Sequence, residues 1–287
     1  MNNPISNICV RVDPTNPGQF FACCGLFELA DRLWPGAEGW FTRDEFRLSC
    51  LGPMSTLLNS LQHVTLESSL GDEGIKRLGT LLSVGKSSLS PEDSREKLRL
   101  KAMWEKESLL LGCPFNLTIN WWRDEHNNRT ALKTWAAKQM IVEIARPLLD
   151  ETLQLAKDGR GEEVVHRTLL GGTTLHFDSD NQAQASALDV GFSTYDLRRV
   201  MNTRRPSRPA LELFSLIGLQ RFGVPRSIDG SVFCFRTWMI PLPLVASAAV
   251  ATGAVPLRSS LAFSFRLFNR TKYMKSFMPA TPTGVFP

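Results

Sequence analysis

Three residues with metal-ligating side chains occupy alternate positions in the middle of the chain, His176, Asp178 and Asp180, and Asp189 follows nearby. Alternate side chains of an extended segment share one face, and imidazole with carboxylates could hold a divalent ion for nuclease chemistry. The same residues also suit a strand end that runs into an Asx-rich turn. We favour the turn and predict no metal site.

The sequence contains no catalytic motif. The closest match to a phosphate-binding loop spans residues 79–87, but five residues separate its two glycines where a Walker A loop has four, and no strand is predicted before it. The four histidines form no His-Glu-x-x-His motif, and no Gly-x-Ser-x-Gly elbow occurs. A catalytic Cys–His pair formed by residues that are distant in the sequence stays an open alternative. The sequence otherwise predicts a protein that is not an enzyme and needs no cofactor.

Two basic segments in the last third of the chain indicate a binding partner. Residues 198–208 hold five arginines and no acidic residue, just before a predicted helix. The planar guanidinium of arginine suits phosphates and guanine edges, and an asparagine amide can read adenine. The candidate nucleic-acid-binding residues here are Arg198, Arg199, Asn202, Arg204, Arg205 and Arg208.

The second basic segment, residues 265–275, interleaves positive charge with aromatic side chains. That combination suits phosphate contact together with base stacking or wedging. Its candidate residues are Arg266, Asn269, Arg270, Lys272 and Lys275. The alternative for both segments is a solvated basic surface, with the aromatic residues in the core.

Charge is distributed unevenly along the 287 residues, whose net charge is +5. Residues 1–191 carry 20 Lys/Arg and 25 Asp/Glu, a balance of −5, whereas residues 192–287 carry 13 Lys/Arg and 3 acidic residues, a balance of +10. Such asymmetry indicates a polyanionic partner for the C-terminal part. We favour nucleic acid over an acidic protein surface, including this chain's own N-terminal half.

Composition excludes a disordered chain, because 43% of the residues are hydrophobic and 21% are charged. The longest apolar run, residues 241–257, contains three prolines and a glycine and is too interrupted to span a membrane. The first residues have no basic start and no hydrophobic signal core, so we expect a cytoplasmic protein without a membrane partner. The six cysteines form no Cys-x-x-Cys pair and are predicted to be buried free thiols.

Periodicity and turn residues predict an α+β fold with mixed, mostly antiparallel sheets and packed helices, because hairpins and helices occur without regular βαβ alternation. The chain divides by charge into an acidic-leaning lobe, residues 1–175, and a basic lobe, residues 176–287, or forms one continuous domain. Trp121, Trp122 and Trp135 are predicted to pack in the core. The predicted helices span 17–33, 54–63, 73–82, 131–156, 209–222 and 245–254, and the predicted strands lie at 8–12, 115–121, 231–240 and 261–267. Residues 40–48 are predicted to form a hairpin, residues 169–177 a Gly-Gly turn with a short strand, and residues 84–94 a loop.

Three blocks of sequence resemble a known family. Residues 13–26 read Asp-Pro-Thr-Asn-Pro-Gly-Gln-Phe-Phe-Ala-Cys-Cys-Gly-Leu and lead to Ala-Asp-Arg-Leu-Trp-Pro-Gly at 30–36. With residues 210–222 and 235–243, they are similar to the divergent large subunits of type I-G (formerly I-U) CRISPR Cascade complexes. The resemblance spans nearly the whole chain, and its motifs are structural rather than catalytic.

The resemblance implies a non-catalytic subunit with a large-subunit-like fold that assembles with guide RNA and backbone subunits. Such subunits read a protospacer-adjacent motif in double-stranded DNA, help to unwind the duplex and dock a recruited helicase–nuclease. Base pairing reads the target, while protein reads the adjacent motif and the DNA backbone.

Two alternative functions remain open. A guide-RNA-processing endoribonuclease of the same systems would carry a glycine-rich loop near its C-terminus, whereas residues 255–287 contain only Gly284. A protein–protein interaction subunit without DNA readout would bind DNA too weakly to measure at physiological salt.

Overall fold

The computed structural model describes residues 5–85, 88–124, 126, 128–136, 139–157, 161–180, 206–226, 230–269 and 275–284. The helices are α1 (Pro17–Leu33), α2 (Met54–Leu61), α3 (Gly71–Ser83), α4 (Pro91–Trp104), α5 (Ile141–Ala156), α6 (Pro209–Arg221) and α7 (Leu244–Ala251), with a 3₁₀ helix at Glu162–His166. The strands are β1 (Ile8–Arg11), β2 (Glu38–Phe41), β3 (Glu45–Ser49), β4 (Leu66–Ser68), β5 (Leu109–Leu111), β6 (Leu117–Ile119), β7 (Leu169–Leu170), β8 (Pro206–Ser207), β9 (Val232–Trp238), β10 (Leu242–Pro243), β11 (Ser260–Asn269), β12 (Lys275–Phe277) and β13 (Thr281–Gly284).

These strands pair in an antiparallel manner throughout the described ranges. A first sheet has the order β1-β3-β2-β10, and in a second sheet β11 pairs with β9, β12 and β13. Smaller sheets are formed by β4-β5-β6 and by β7-β8. The predicted α+β class is confirmed, and β10 and α6 bring the C-terminal half of the chain against the N-terminal half.

The helices α1 and α6 cross at the centre of the molecule and are buried on all sides along most of their length. Asn16 caps α1 by accepting the N–H of Gln19, and Pro17 occupies the first turn. The two backbones approach closely because Gly25 and Gly218 meet at the crossing. A Cβ atom on Gly25 would lie 1.9 Å from the carbonyl oxygen of Phe214.

Aromatic side chains of α1 fill the space between the first and second sheets. The ring of Phe20 lies 5.5 Å from that of Phe41 in β2 and 4.2 Å from that of Phe235 in β9, as distances between centroids. Phe21 contacts Phe265 and Phe277 of the second sheet. The second sheet thus buries one face against α1 and leaves its outer face available to other molecules.

The outer face of the second sheet is polar. Cys234 of β9 is exposed and pairs with Ser264 of β11, and Arg266 follows two positions later on the same face. Their neighbours Phe235 and Phe265 point into the core. This alternation explains how a segment rich in aromatic residues contributes both to the core and to the surface.

Two sequence predictions are wrong in the region between residues 84 and 140. The predicted loop over residues 84–94 overlaps α4, which begins at Pro91. Ser90 caps this helix by accepting the N–H of Asp93, and Pro91 occupies its first turn. The long helix predicted from residue 131 begins at Ile141 instead. Residues 131–136 are not helical, and Trp135 among them is buried in the core.

The buried tryptophans are confirmed, because Trp121, Trp122 and Trp135 pack edge to face against one another. All six cysteines are free thiols, as expected, but only Cys23 and Cys24 are fully buried, and burial raises the pKa of both thiols. None of the described helices has the length and apolar character that a bilayer crossing requires.

We expect Gly25→Ala to destabilise the protein by about 1–3 kcal/mol or more, because the added methyl group forces α1 and α6 apart. Gly79→Ala is the matched control, since Gly79 lies inside α3 with no neighbouring atom within 4 Å of a built Cβ. That substitution should stabilise the protein by about 0.5–1 kcal/mol through helix propensity. Urea unfolding measures both, and equal effects of the two substitutions would contradict the close crossing.

Candidate nucleic-acid interface

The two basic segments are described only in part. Seven of their predicted contact residues lie outside the described residues, namely Arg198, Arg199, Asn202, Arg204, Arg205, Arg270 and Lys272. Asp189 of the metal hypothesis also lies outside them. The structure therefore places four predicted contacts, which are Arg208, Arg266, Asn269 and Lys275.

Arg208, the N-cap residue of α6, is held inside the protein by two carboxylates. Its guanidinium donates to Asp178 at 2.5 and 2.6 Å and to Asp180 at 2.6 Å, and its side chain is only 14% exposed. The buried carboxylate of Asp178 also accepts from the amide of Asn16, the N-cap of α1, at 2.8 Å. Arg208 thus links the beginnings of α1 and α6. These ion pairs engage the guanidinium that the sequence predicts to contact nucleic acid.

Glu212, in the first turn of α6, fixes the segment that leads to Asp178. Its fully buried carboxylate accepts from the N–H groups of Leu175 and Phe177 at 3.2 and 3.1 Å and from the hydroxyl of Thr174 at 2.8 Å. Burial, and then the charge of Asp178, raise the pKa of Glu212 to about 7, although these hydrogen bonds act to lower it. A side chain, rather than strand pairing, therefore orders these residues.

The alternate residues His176, Asp178 and Asp180 do not converge on a metal position. Both aspartates share the guanidinium of Arg208, and no group of three His, Cys, Asp or Glu side chains within the described ranges is placed to hold a metal ion. The N–H of Asp180 donates to the carboxylate of Asp178 at 3.2 Å, which confirms an Asx turn. The predicted strand before it is limited to β7, farther upstream.

The second basic segment comes together at one end of the second sheet. Arg266 and Phe268 are exposed at alternate positions of β11, and the side chain of Phe268 is 41% exposed. Asn269 is exposed and pairs with Lys275 across β11 and β12. Because side chains alternate along β11, Arg266 and Phe268 lie on the outer face, whereas Asn269 and Lys275 lie on the opposite face at the same end of the sheet. An exposed ring can stack a base while a neighbouring cation holds a phosphate.

Arg226 lies at the same end of the sheet, although the sequence did not single it out. It is exposed, it forms a backbone bridge with Phe233 of β9, and its guanidinium carbon lies 5.6 Å from the centre of that ring. Burial, and then the charge of Arg226, lower the pKa of Lys275. The two cations are therefore neighbours, and only the tertiary fold brings them together. We name Arg226, Arg266, Phe268, Asn269 and Lys275 the basic sheet end.

Among the described residues of the C-terminal part, no exposed carboxylate neutralises the positive charge of the basic sheet end. From residue 206 onward, Glu212 is the only acidic residue among those described, and it is buried. Arg221 does not add to this charge in the same way, because it pairs with buried Glu28 of α1. The described cations that face solvent here are thus concentrated on the second sheet and its margins.

Comparison of the chain with protein-family models, with curated proteins and with solved structures finds no match.

We expect Arg208→Ala to destabilise the protein by about 3–5 kcal/mol, because it leaves the carboxylate of Asp178 buried without its cation. Urea unfolding measures this loss, and duplex DNA binding by the folded variant should keep the salt dependence of the parent protein. Arg43→Ala, which removes an exposed arginine from the turn between β2 and β3, is the control and should change stability by less than about 0.5 kcal/mol. If Arg208→Ala left the stability unchanged and weakened the salt dependence of DNA binding, Arg208 would be a nucleic-acid contact and not an internal one.

Proposed function

We propose that this chain is a non-catalytic DNA-recognition subunit of a guide-RNA surveillance complex and that its basic sheet end contacts the target duplex. The observation that carries the proposal is the exposed ring of Phe268 beside Arg266 on the outer face of a sheet whose other face is buried against α1. The resemblance of residues 13–36, 210–222 and 235–243 to Cascade large subunits agrees with this role. In such complexes the protein contacts the adjacent motif and the backbone, while guide RNA reads the target.

The charge of the basic sheet end and the rigidity of its sheet both support the proposal. Phosphate contacts supply most of the affinity for duplex DNA and make it depend on salt, and the basic sheet end offers Arg226, Arg266 and Lys275 for them. Asn269 and Phe268 offer an amide and a ring to bases or sugars, as a motif reader or a wedge requires. A sheet fixed from behind by α1 holds these groups in one arrangement, which lowers the entropic cost of ordering them on binding.

The proposal includes the partners that the sequence predicts. The chain would assemble in the cytoplasm with guide RNA and the backbone subunits, help to open double-stranded DNA beside the protospacer-adjacent motif, and present a surface to the recruited helicase–nuclease. It requires neither a metal ion nor an organic cofactor. Cleavage of repeat RNA by the purified chain would instead support the endoribonuclease alternative.

We expect Arg266→Ala to weaken binding of a fluorescein-labelled duplex by the full chain and to flatten the plot of log affinity against log salt by about 0.9, the value for one lost phosphate contact. Arg266→Lys keeps the charge and should keep the slope. Fluorescence anisotropy over a salt series measures both. A slope in Arg266→Ala equal to that of the parent protein would contradict the assignment.

Two exposed thiols supply a control that does not depend on charge. Cys234 lies on the outer face of the second sheet beside Ser264. Cys113 lies two residues before Phe115, and the backbone carbonyl oxygen of Phe115 accepts a hydrogen bond from Arg32 in the last turn of α1. Bound duplex should slow alkylation of Cys234 and leave that of Cys113 unchanged. Equal protection of both thiols, or of neither, would contradict binding at the basic sheet end.

A further inference from the structure

Helix α7 lies at the surface but carries no charged side chain. Its eight residues read Leu-Val-Ala-Ser-Ala-Ala-Val-Ala. Its buried residues are Leu244, Ser247, Val250 and Ala251, and the helix packs against β9, β10, β2 and α1. A surface helix normally presents a polar face to solvent, whereas a helix that is apolar all round is expected to be covered on every side. The remaining face of α7 is apolar, and no described element covers it.

The outward face of α7 consists of valine and alanine side chains. Val245 is 71% exposed, and Ala249 follows four positions later on the same side of the helix. Beyond the end of the helix, the N–H of Val255 donates to the carbonyl oxygen of Ala249 at 3.1 Å. This bond keeps the side chain of Val255, which is 48% exposed, next to the last turn. We name Val245, Ala249 and Val255 the apolar helix face.

The one hydroxyl near the apolar helix face is satisfied within the chain. Thr252, directly after α7, donates to the carbonyl oxygen of Ala248 at 3.0 Å. The other residues on this side, Ala246, Ala248 and Ala249, are half-buried and short. Short side chains allow a second helix to approach closely, as at the crossing of α1 and α6. The face therefore suits packing against another helix.

An acidic and a basic residue flank the apolar helix face. Glu38 of β2 is exposed and is paired with Pro243, the N-cap of α7, in the ladder between β2 and β10. Arg258 is exposed in the segment that follows α7. Within the described part of the chain, neither residue forms an ion pair. A carboxylate thus lies beside the start of the helix, and a guanidinium follows its end.

We propose that the apolar helix face binds the same face of a second copy of this chain, with the two α7 helices antiparallel about a two-fold axis. Every contact of a two-fold pair occurs twice, so Glu38 of each copy meets Arg258 of the other. Antiparallel helices also set the positive end of one macrodipole beside the negative end of the other. Flanking charges of both signs favour a second copy over a partner of one sign, such as nucleic acid or an acidic protein.

This pairing goes beyond the proposed function and does not depend on it. The contact surface of one short helix and its flanks is small, so the pair is weak and forms as the protein concentration rises. It needs no nucleic acid, because the apolar helix face and its two flanking charges all belong to this chain.

We expect sedimentation equilibrium of the full chain, without nucleic acid, to show a monomer that becomes a dimer with increasing concentration. Val245→Glu should weaken this association about tenfold or more, because it buries a carboxylate in an apolar contact. The fold should tolerate the change, since Val245 lies in the first turn of α7, where a carboxylate is favourable. Leu98→Glu is the matched control, because Leu98 is 69% exposed on α4, and it should associate like the parent protein.

Charge reversal tests the identity of the partner. Glu38→Arg and Arg258→Glu each set like charges against each other at both contacts of the symmetric pair, so neither variant alone should self-associate. An equimolar mixture of the two variants has opposite charges at both contacts and should form a heterodimer as tight as the parent dimer. Both residues are exposed, so urea unfolding of each variant should stay close to that of the parent protein.

Other occupants of the apolar helix face give other results. A parent chain that stays monomeric at every concentration overturns the inference, as does a dimer that Val245→Glu or the charge reversals leave unchanged. A mixture of the charge-reversed variants that stays monomeric overturns it too. If the parent chain is monomeric and Val245→Glu no longer joins the guide-RNA complex, a different subunit covers α7. The salt dependence of duplex binding in Arg266→Ala is measured separately, so the proposed function stands or fails on its own.

Discussion

The close crossing of α1 and α6 is the constraint on which the rest of the structure depends. With glycine at the contact on each helix, the two backbones touch, so that α1 can fill the space between two sheets and still pack against α6. Ion pairs hold the crossing at both ends. Arg208 joins Asp178 near the start of the helices, and Arg221 joins Glu28 near their ends. A sheet supported in this way presents a fixed outer face.

The same ion pairs show why the number of arginines in a segment is a poor measure of binding capacity. Arg208 and Arg221 both lie in the basic half of the chain, yet each compensates a buried carboxylate. An arginine of this kind acts on stability, since removing it leaves the carboxylate buried and unpaired. Arg266, by contrast, is exposed on a sheet face, where its charge remains available to a partner.

The sequence predicted well the features that depend on local pattern. Asn16 and Pro17 start α1 where expected, and the alternating aromatic residues of β9 and β11 form strands. It failed where distant side chains decide the structure. The predicted helix over 131–156 begins only at Ile141, and Trp135, upstream of it, is buried in contacts that no local pattern records. For the candidate site, the local charge pattern predicted Arg266, Asn269 and Lys275, whereas Arg226 is brought there only by tertiary contacts.

We propose that this chain gives a guide-RNA complex its contact with duplex DNA. The most direct measurement is the binding of a fluorescent duplex target by the assembled guide-RNA complex, with and without the chain. The account predicts that binding appears only when the chain is present and that it depends on the motif flanking the target. Equal binding by the complex that lacks the chain would contradict it.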